Sequence, residues 1–354
     1  MSLFSNRNDT FEDAGKILFG CLKQPILLFV LILFVYSCVT PGKPYSEYSG
    51  LLSGGYPREE SSMTLATQLG YSKNDIIVIV HADDIGIHKD QTDGSLASMK
   101  MDIIKTGSVM VPGPDFERVA AIWRDHPELD LGLHLTLTSG HKESYRWKPI
   151  LPQNKVPSLY DSDGFVWLKP NNLSNHLDTQ EALMEIEAQI LAALQAGLNP
   201  THIDTHQGTY NMTYELTEGV MKLSRKYNLP MLPHPAYMDE MRKEGYVFPD
   251  TYWMYLLISG EKKTPEYRKK VYDNWLRGLK PGVHQMIVHP SFMSEEYEQH
   301  VWHPHILTGD YAYWTGKETK SLAEKLGIKF IGYRDLQKLQ AKNWNLQNDS
   351  LQSE

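Results

Sequence analysis

Residues 76–87, IIVIVHADDIGI, decide the fold of this chain. The first five are apolar and β-branched, and such a continuous run is typical of a parallel strand buried on both faces. His81 follows the run, and two adjacent carboxylates, Asp83 and Asp84, come directly after it. Parallel α/β folds place their chemistry at the carboxyl ends of their strands. Because neighbouring like charges repel each other, this pair needs a cation, a shared proton or open solvent. The stretch is a first indication of a metal-dependent hydrolase.

The composition is that of a globular protein without an affinity for nucleic acid. The 354 residues are 41% hydrophobic and 22% charged, with a net charge of −8. No block of basic residues occurs, which argues against DNA or RNA as a partner. The two cysteines, Cys21 and Cys38, precede the globular region. A disulfide or thiolate site in the main body is thereby excluded, so a metal there must be held by His, Asp and Glu.

The amino-terminal segment has the features of a targeting signal. Residues 25–37, PILLFVLILFVYS, form an uncharged apolar run that is short of the roughly 20 residues of a stable membrane span. Its length suits a signal peptide, and its end, Val35-Tyr36-Ser37-Cys38, resembles a bacterial lipoprotein cleavage site. The sequence predicts a signal peptide or an uncleaved membrane anchor at 1–38 and a flexible tether at 39–60. The globular region that follows the tether is then expected in the cell envelope. It is lipid-anchored at Cys38 or held by the uncleaved N-terminal anchor, and it makes no other membrane contact.

The body alternates between short apolar strands and longer helical segments. This rhythm fits a distorted TIM-like (β/α) barrel better than an open doubly wound sheet, and it predicts a single catalytic domain over 61–342 with a C-terminal tail at 343–354. No GxGxxG or P-loop follows the first strand, so a nucleotide site has little support. The predicted strands are 75–81, 108–111, 130–137, 201–204, 231–233, 285–289 and 329–331; the predicted helices are 62–69, 92–105, 114–125, 179–196, 214–227, 265–279, 319–326 and 335–341.

Three further polar clusters come at predicted strand ends. His134 lies in the strand predicted at 130–137, His289 follows Val288, and the HIDTH segment carries His202, Asp204 and His206. Side chains alternate along a strand, so the last three share one face. Ionisable groups directed into a barrel are costly unless something binds them. A lone histidine is more often a core residue than a ligand, but four strands that deliver His or Asp at the same end indicate one shared site.

Together these segments resemble the YdjC-like carbohydrate deacetylase family. The matching segments are residues 81–86, HADDIG, 132–135, GLHL, 202–206, HIDTH, and 289–290, HP. Their order is that of the family, and the resemblance extends from about 76 to 336. The chain departs from the family pattern at His81, where Asn is usual, at Ile85, where Phe is usual, at His234, near an expected arginine, and at Gln207-Gly208, where relatives often carry further histidines.

The resemblance implies a divalent metal held by one Asp and two His, and we assign Asp84, His134 and His206 to this role. It implies that Asp83 is the general base and His289 the general acid of an amide hydrolysis. His202 and Asp204 are expected to contact the ligands rather than the metal. Mg or Zn is the expected ion, with Mn and Co as alternatives that the donor set also suits. The implied reaction removes N-acetyl groups from amino sugars or short oligosaccharides.

Two other functions stay open at this point. The chain could be a glycan-binding envelope lipoprotein on a deacetylase-like scaffold, or a metal hydrolase of another amide or an ester. Four aromatic residues could stack on sugar rings or simply pack in loops: Trp302, Tyr311, Tyr313 and Trp314. The sequence leaves the sugar and its length undetermined, and a homodimer is one open option for the oligomeric state.

Overall fold

The structure, a computed structural model, describes residues 64–234, 237–254 and 264–351. The signal peptide or anchor predicted at 1–38 and the tether predicted at 39–60 lie outside the described residues. Within these described ranges, no helix combines the length and the apolar character needed to span a membrane.

One seven-stranded sheet organises the described chain, and all its strand pairs are parallel. The strand order is β4-β3-β2-β1-β6-β5, and β7 pairs with the first residues of β1. The strands are β1 (Ile76–Ile85), β2 (Ile104–Val109), β3 (Leu131–Leu135), β4 (Ile203–Thr205), β5 (Thr251–Met254), β6 (Gly282–Val288) and β7 (Ile328–Phe330).

Helices connect these strands, as a parallel sheet requires. In chain order they are α1 (Leu65–Gln68), α2 (Lys89–Met99), α3 (Phe116–Asp125), α4 (Pro170–Ser174), α5 (Thr179–Gln195), α6 (Tyr214–Tyr227), α7 (Met238–Lys243), α8 (Pro265–Gly278), α9 (Glu295–Glu298), α10 (Pro304–Trp314), α11 (Lys317–Lys325) and α12 (Arg334–Leu351). Short 3₁₀ segments occur at Pro157–Leu159 and His206–Asn211.

The sheet is strongly curled. Two strands separate β1 from β4, so their backbones would lie about 14 Å apart in a flat sheet with the usual strand spacing. The Nε2 atoms of His81 in β1 and His202, just before β4, are nevertheless only 2.6 Å apart. Among the described residues no ladder joins β5 to β4. The sheet is thus a parallel half-barrel wrapped by helices, which confirms the predicted α/β, barrel-like, single-domain fold.

The first strand forms the centre of the core, as its apolar run predicts. Ile77, Val78, Ile79 and Val80 are all completely buried. On one face, Ile77 and Ile79 pack in a cluster that includes residues of α1, β6 and α12. Burying one such side chain contributes roughly 1.5–3 kcal/mol, so β1 anchors the sheet in the core.

Some elements differ from the sequence-based prediction. Helix α2 begins at Lys89 instead of Thr92, because the His88 side chain caps it by accepting a hydrogen bond from the Asp90 amide. The strand predicted at 231–233 is a single bridge between Met231 and Ile203. Strand β5 and helix α10 were not predicted at all.

The last helix is also longer than the predicted 335–341. Helix α12 continues to Leu351, through part of the segment predicted as a tail. The Trp344 ring packs edge-on against Tyr246 at 5.2 Å, and its Nε1 donates to the Glu244 carbonyl at 2.9 Å. These tertiary contacts stabilise turns whose sequence alone gives a weak helical signal.

Candidate metal centre

Three predicted ligands meet at the carboxyl edge of the sheet. Oδ1 of Asp84 lies 3.0 Å from Nδ1 of His206 and 3.2 Å from Nε2 of His134. The same two ring nitrogens are 3.3 Å apart. All three side chains are largely buried, and together they form a group of donor atoms that could hold one metal ion.

The spacing of these donors fits an ion. Zinc lies about 2.0–2.2 Å from nitrogen and oxygen ligands, so two ligands of one ion are separated by about 3.0–3.5 Å at tetrahedral or octahedral angles. The three observed separations fall in this interval. One carboxylate and two imidazoles are also a donor set that binds divalent ions. The residues present therefore fit a divalent metal.

The backbone at one predicted ligand, and directly after another, adopts a conformation that few residues accept. Asp84 has a φ of 64°, in the left-handed region. His206 follows β4 and begins a 3₁₀ turn in which Gln207 and Gly208 have φ values of 54° and 71°. Strained backbone of this kind concentrates at functional sites.

Neighbouring acceptors fix the orientation of both imidazoles. Oδ1 of Asp204 lies 2.8 Å from Nδ1 of His134, so that nitrogen carries the proton and Nε2 is left to bind a metal. Nε2 of His206 lies 3.2 Å from the Ser139 carbonyl oxygen. That oxygen can only accept a hydrogen bond, so Nε2 carries the proton and the lone pair of Nδ1 is available for a metal. The sequence predicts that Asp204 contacts a metal ligand rather than the metal. In the structure its partner is the predicted ligand His134 on the neighbouring strand.

The electrostatics of the cluster favour a cation. Burial alone would raise the pKa of Asp84, but the rings of His206 and His134 outweigh it and hold that pKa well below its ordinary value. Burial alone would lower the pKa of His134, yet the carboxylates of Asp204 and Asp83 raise it well above its ordinary value. The cluster thus keeps Asp84 ionised and favours positive charge at His134, where a divalent ion would take the place of the proton.

Asp83, the predicted base, lies beside the three ligands. Its Oδ1 is 2.6 Å from Nδ1 of His81, and its Oδ2 is 3.9 Å from Nε2 of His134. Oδ1 of Asp83 is thus hydrogen-bonded to His81, while Oδ2 faces the three predicted ligands.

His289, the predicted acid, lies at the other side of Asp84. Its Nε2 is 3.9 Å from Oδ2 of Asp84, and its ring is 17% exposed. Its backbone N–H donates to Oδ2 of Asp310 at 2.9 Å. The Asp310 carboxylate is itself held by Arg268 and Tyr272 in a buried group. No pattern in the sequence connected Asp310 with His289.

His202 lies behind the ligand cluster. It is completely buried, stacks on Tyr333 at 3.9 Å and contacts His81 through Nε2. Gly132 leaves the space for it, because a Cβ at that position would lie 2.6 Å from the imidazole ring. Ser108 was not predicted to belong to the site, but its hydroxyl lies 3.2 Å from Nδ1 of His134. The only feature of the sequence that could have indicated it is a polar residue near the end of β2.

Three of the four aromatic residues considered for sugar stacking separate into two kinds. Tyr313 and Trp314 are buried and pack against Tyr272, so they support the fold. Trp302 is 52% exposed, and the ammonium groups of Lys142 and Lys169 each lie 5.9 Å from its ring centroid. Trp302 keeps the exposure that a stacking platform needs.

The chain is similar to known proteins over most of its described length. A family model described as YdjC-like protein matches residues 77–325. A carbohydrate deacetylase of Enterococcus faecalis is 32% identical over 155 residues, which is 44% of this chain and 57% of that protein. A carbohydrate deacetylase of Thermoanaerobacter pseudethanolicus is 26% identical over 62% of this chain and 82% of its own length. One from Listeria monocytogenes is 26% identical over 73% of this chain and 99% of its own length.

One solved structure shares the fold over nearly its whole length. It is a crystal structure of an Enterococcus faecalis protein described as a candidate cellobiose-phosphate cleavage protein, with a TM-score of 0.62 and 25% identity. The match covers 74% of this chain and 99% of that one.

Proposed function

Because the chain belongs to the family of YdjC-like proteins, we propose that it is a metal-dependent carbohydrate deacetylase. The proposed reaction hydrolyses the N-acetyl group of an amino sugar or a short oligosaccharide. One observation carries the proposal: the donor atoms of Asp84, His134 and His206 lie 3.0–3.3 Å from one another, with the Asp83 carboxylate beside them. Relatives that bear the name carbohydrate deacetylase support the substrate class.

The proposed roles follow from the contacts of each side chain. Asp84, His134 and His206 would hold the ion. The ion supplies positive charge that polarises the amide carbonyl and makes water more acidic. Asp83 takes the proton of the attacking water on Oδ2, because Oδ1 is already engaged by His81.

His289 donates the proton that the leaving amine needs. A histidine is suited to this task because its unperturbed pKa lies near neutrality. Its Nε2 is 3.9 Å from Oδ2 of Asp84, so it lies at the cluster but is separate from the base. The bond that breaks is the amide C–N bond; the acyl carbon gains the oxygen of water, and the nitrogen leaves with the proton from His289.

We also propose which ion the site binds and where in the cell the protein lies. One carboxylate and two imidazoles favour zinc among the abundant divalent ions, with magnesium as the alternative. The apolar run at 25–37 and Cys38 support an envelope protein that is lipid-anchored at Cys38. Cys38→Ser should abolish incorporation of a labelled fatty acid into the chain; a wild-type chain that takes up no label would favour an uncleaved anchor or another location.

The test is acetate release from a panel of substrates. The purified body is incubated with N-acetylated chito-oligosaccharides of different length, with acetylated esters and with unrelated amides, before and after exhaustive chelation. We expect acetate from the N-acetylated sugars, loss of activity on chelation and recovery with added zinc or magnesium. Turnover of esters alone would contradict the substrate class, and turnover that survives chelation would contradict the metal mechanism.

A further inference from the structure

A buried chain of side chains runs from Asp83 away from the metal centre. Oδ1 of Asp83 lies 2.6 Å from Nδ1 of His81, and Nε2 of His81 lies 2.6 Å from Nε2 of His202. Nδ1 of His202 lies 3.0 Å from Oγ1 of Thr201, which lies 2.6 Å from Oδ1 of Asp130. His81, His202 and Thr201 are completely buried.

His81, Asp83 and Asp204 could in principle hold a second metal ion, because their donor atoms cluster. The distances argue against this reading. The 2.6 Å between Nδ1 of His81 and Oδ1 of Asp83 is a hydrogen-bond distance. It is shorter than the roughly 3.0–3.5 Å that separates two ligands of one ion at ordinary bond lengths. This contact therefore fits a hydrogen bond better than two ligands of a shared ion.

The direction of each hydrogen bond in the chain can be worked out. Thr201 has one hydroxyl proton, and its shortest contact is to the Asp130 carboxylate, so it donates there. Nδ1 of His202 must then donate to Thr201, which leaves Nε2 of a neutral His202 as an acceptor. His81 therefore donates from Nε2 to His202. Since an ionised carboxylate only accepts, His81 also donates from Nδ1 to Asp83, and its ring carries both protons.

The surroundings of His81 match a positive charge. On its own strand it faces Asp83, and from β4 the carboxylate of Asp204 lies 3.8 Å from its Nδ1. The Tyr333 ring packs edge-on at 5.8 Å. Burial and the nearby His134 oppose the charge, but the carboxylates of Asp83 and Asp204 outweigh them and raise the pKa of His81. Burial, with the charge of His81, lowers the pKa of His202 well below its ordinary value, so His202 stays neutral.

We propose that His81 is a positioning residue for Asp83, held in its doubly protonated form by the chain through His202 and Thr201 to Asp130. It binds Oδ1 of Asp83 from behind and so leaves Oδ2 as the oxygen that faces the ligand cluster. The consequence for catalysis rests on the proposed deacetylase function. The doubly protonated state of His81 does not rest on that function, because it follows from the hydrogen bonds alone.

The protonation is measured by nitrogen NMR. The chain, labelled with ¹⁵N-histidine and loaded with zinc, is recorded at neutral pH without substrate, and the signals are assigned with His81→Asn and His202→Gln. We expect two protonated nitrogens on His81 and a single one, Nδ1, on His202. Thr201→Val removes the acceptor that fixes the direction and should shift the Nε2 signal of His81 toward an unprotonated nitrogen. Thr201→Ser is the matched control and should retain the wild-type signals.

The positioning role is measured by kinetics. His81→Leu removes the donor to Asp83 and should lower kcat by roughly tenfold to a hundredfold, because small errors in position cost this much, with little change in KM. His81→Asn places an N–H close to the position of Nδ1 and should recover most of kcat. Thermal unfolding of both variants shows whether the fold is intact.

The outcomes separate the two proposals. A neutral His81 in the wild-type spectrum overturns this inference even if the chain is an active deacetylase. His81→Leu with wild-type kcat, or His81→Asn no better than His81→Leu, overturns it as well. A wild-type chain that is inactive on every substrate contradicts the proposed function, and the ¹⁵N signals then decide the state of His81 by themselves.

Discussion

Nδ1 of His134 and Oδ1 of Asp204 lie 2.8 Å apart across two neighbouring strands, where His134 and Asp204 are register partners. This hydrogen bond holds the proton of His134 on Nδ1 and directs Nε2 at Asp84. It makes the metal-binding tautomer of His134 a consequence of strand pairing.

Asp204→Asn should weaken metal binding. Asparagine can still accept a hydrogen bond from His134, but the negative charge that makes the imidazole a stronger ligand is lost. Replacing such an outer carboxylate costs roughly tenfold to a hundredfold in metal affinity, which a competition titration with a chromogenic chelator measures. Ser108→Ala is the control, because it removes a 3.2 Å contact to the same Nδ1 without a charge. Equal affinity in Asp204→Asn and the wild type would contradict the orienting role.

Asp84→Asn should abolish stabilisation by metal. Asparagine tolerates the left-handed backbone at this position (φ 64°) as well as aspartate does, so the fold should survive. At a metal concentration one hundred times its Kd, the wild-type free energy of unfolding should rise by about 2.7 kcal/mol. The variant should gain far less at the same concentration, as measured by urea unfolding with and without zinc. A full gain in the variant would remove Asp84 from the ligand set.

Asp83→Asn should separate catalysis from metal binding. Loss of a general base lowers kcat by roughly 10²–10⁴, while the three proposed ligands, Asp84, His134 and His206, remain. Acetate release and the metal titration are therefore measured on the same preparation. If the variant loses metal to the same extent as Asp84→Asn, Asp83 is a ligand and the base must be sought elsewhere.

Much of this site could be predicted because the carboxyl ends of parallel strands lie at the same edge of the sheet. The apolar run of β1, the histidine in β3 and the HIDTH segment each identify a buried strand that ends in a polar group. In a parallel sheet those ends lie at one edge, and the structure brings Asp84, His134 and His206 together there. The left-handed backbone of Asp84 has no such sequence signal, because aspartate seldom requires it.

Contacts that depend on curvature could not be predicted in this way. Periodicity identifies the face on which a side chain lies, but His81 reaches His202 only because the sheet curls across two intervening strands. Strand β5 was missed because TYWM is short and partly exposed, so its pattern is weak. Helix α10 was missed because its apolar residues follow no amphipathic period, and Asp310 within it finds His289 only in the folded chain.

Asp310→Ala should destabilise the fold and the position of His289 together. Arg268 is 3% exposed and pairs with the 2% exposed Asp310 carboxylate, so the variant leaves a buried cation without its partner. Breaking a buried pair in this way costs about 3–5 kcal/mol, measured by urea unfolding. In the double variant Arg268→Met/Asp310→Leu no charge stays buried, and we expect a smaller loss. A double variant less stable than Asp310→Ala would show that the pair itself stabilises the fold.

Stability should fall on acidification because of His141. Burial lowers the pKa of this imidazole from 6.5 to about 4, so the unfolded chain binds the proton more tightly than the folded one. The stability that the neutral ring contributes is complete above pH 6.5 and is lost as the pH falls from 6.5 toward 4. The two values differ by 2.5 units, which corresponds to about 3 kcal/mol.

His141→Phe removes the proton site and keeps a ring among Tyr145, Trp147 and Tyr297, which surround it. Urea unfolding of the chelated chain between pH 7 and pH 4.5 should therefore show a smaller loss of stability in this variant than in the wild type. Tyr297→Phe is the matched control: it removes the hydroxyl 3.2 Å from Nε2 of His141 but leaves the imidazole buried, so it should keep the wild-type dependence. Parallel curves for His141→Phe and the wild type would mean that other groups cause the acid sensitivity.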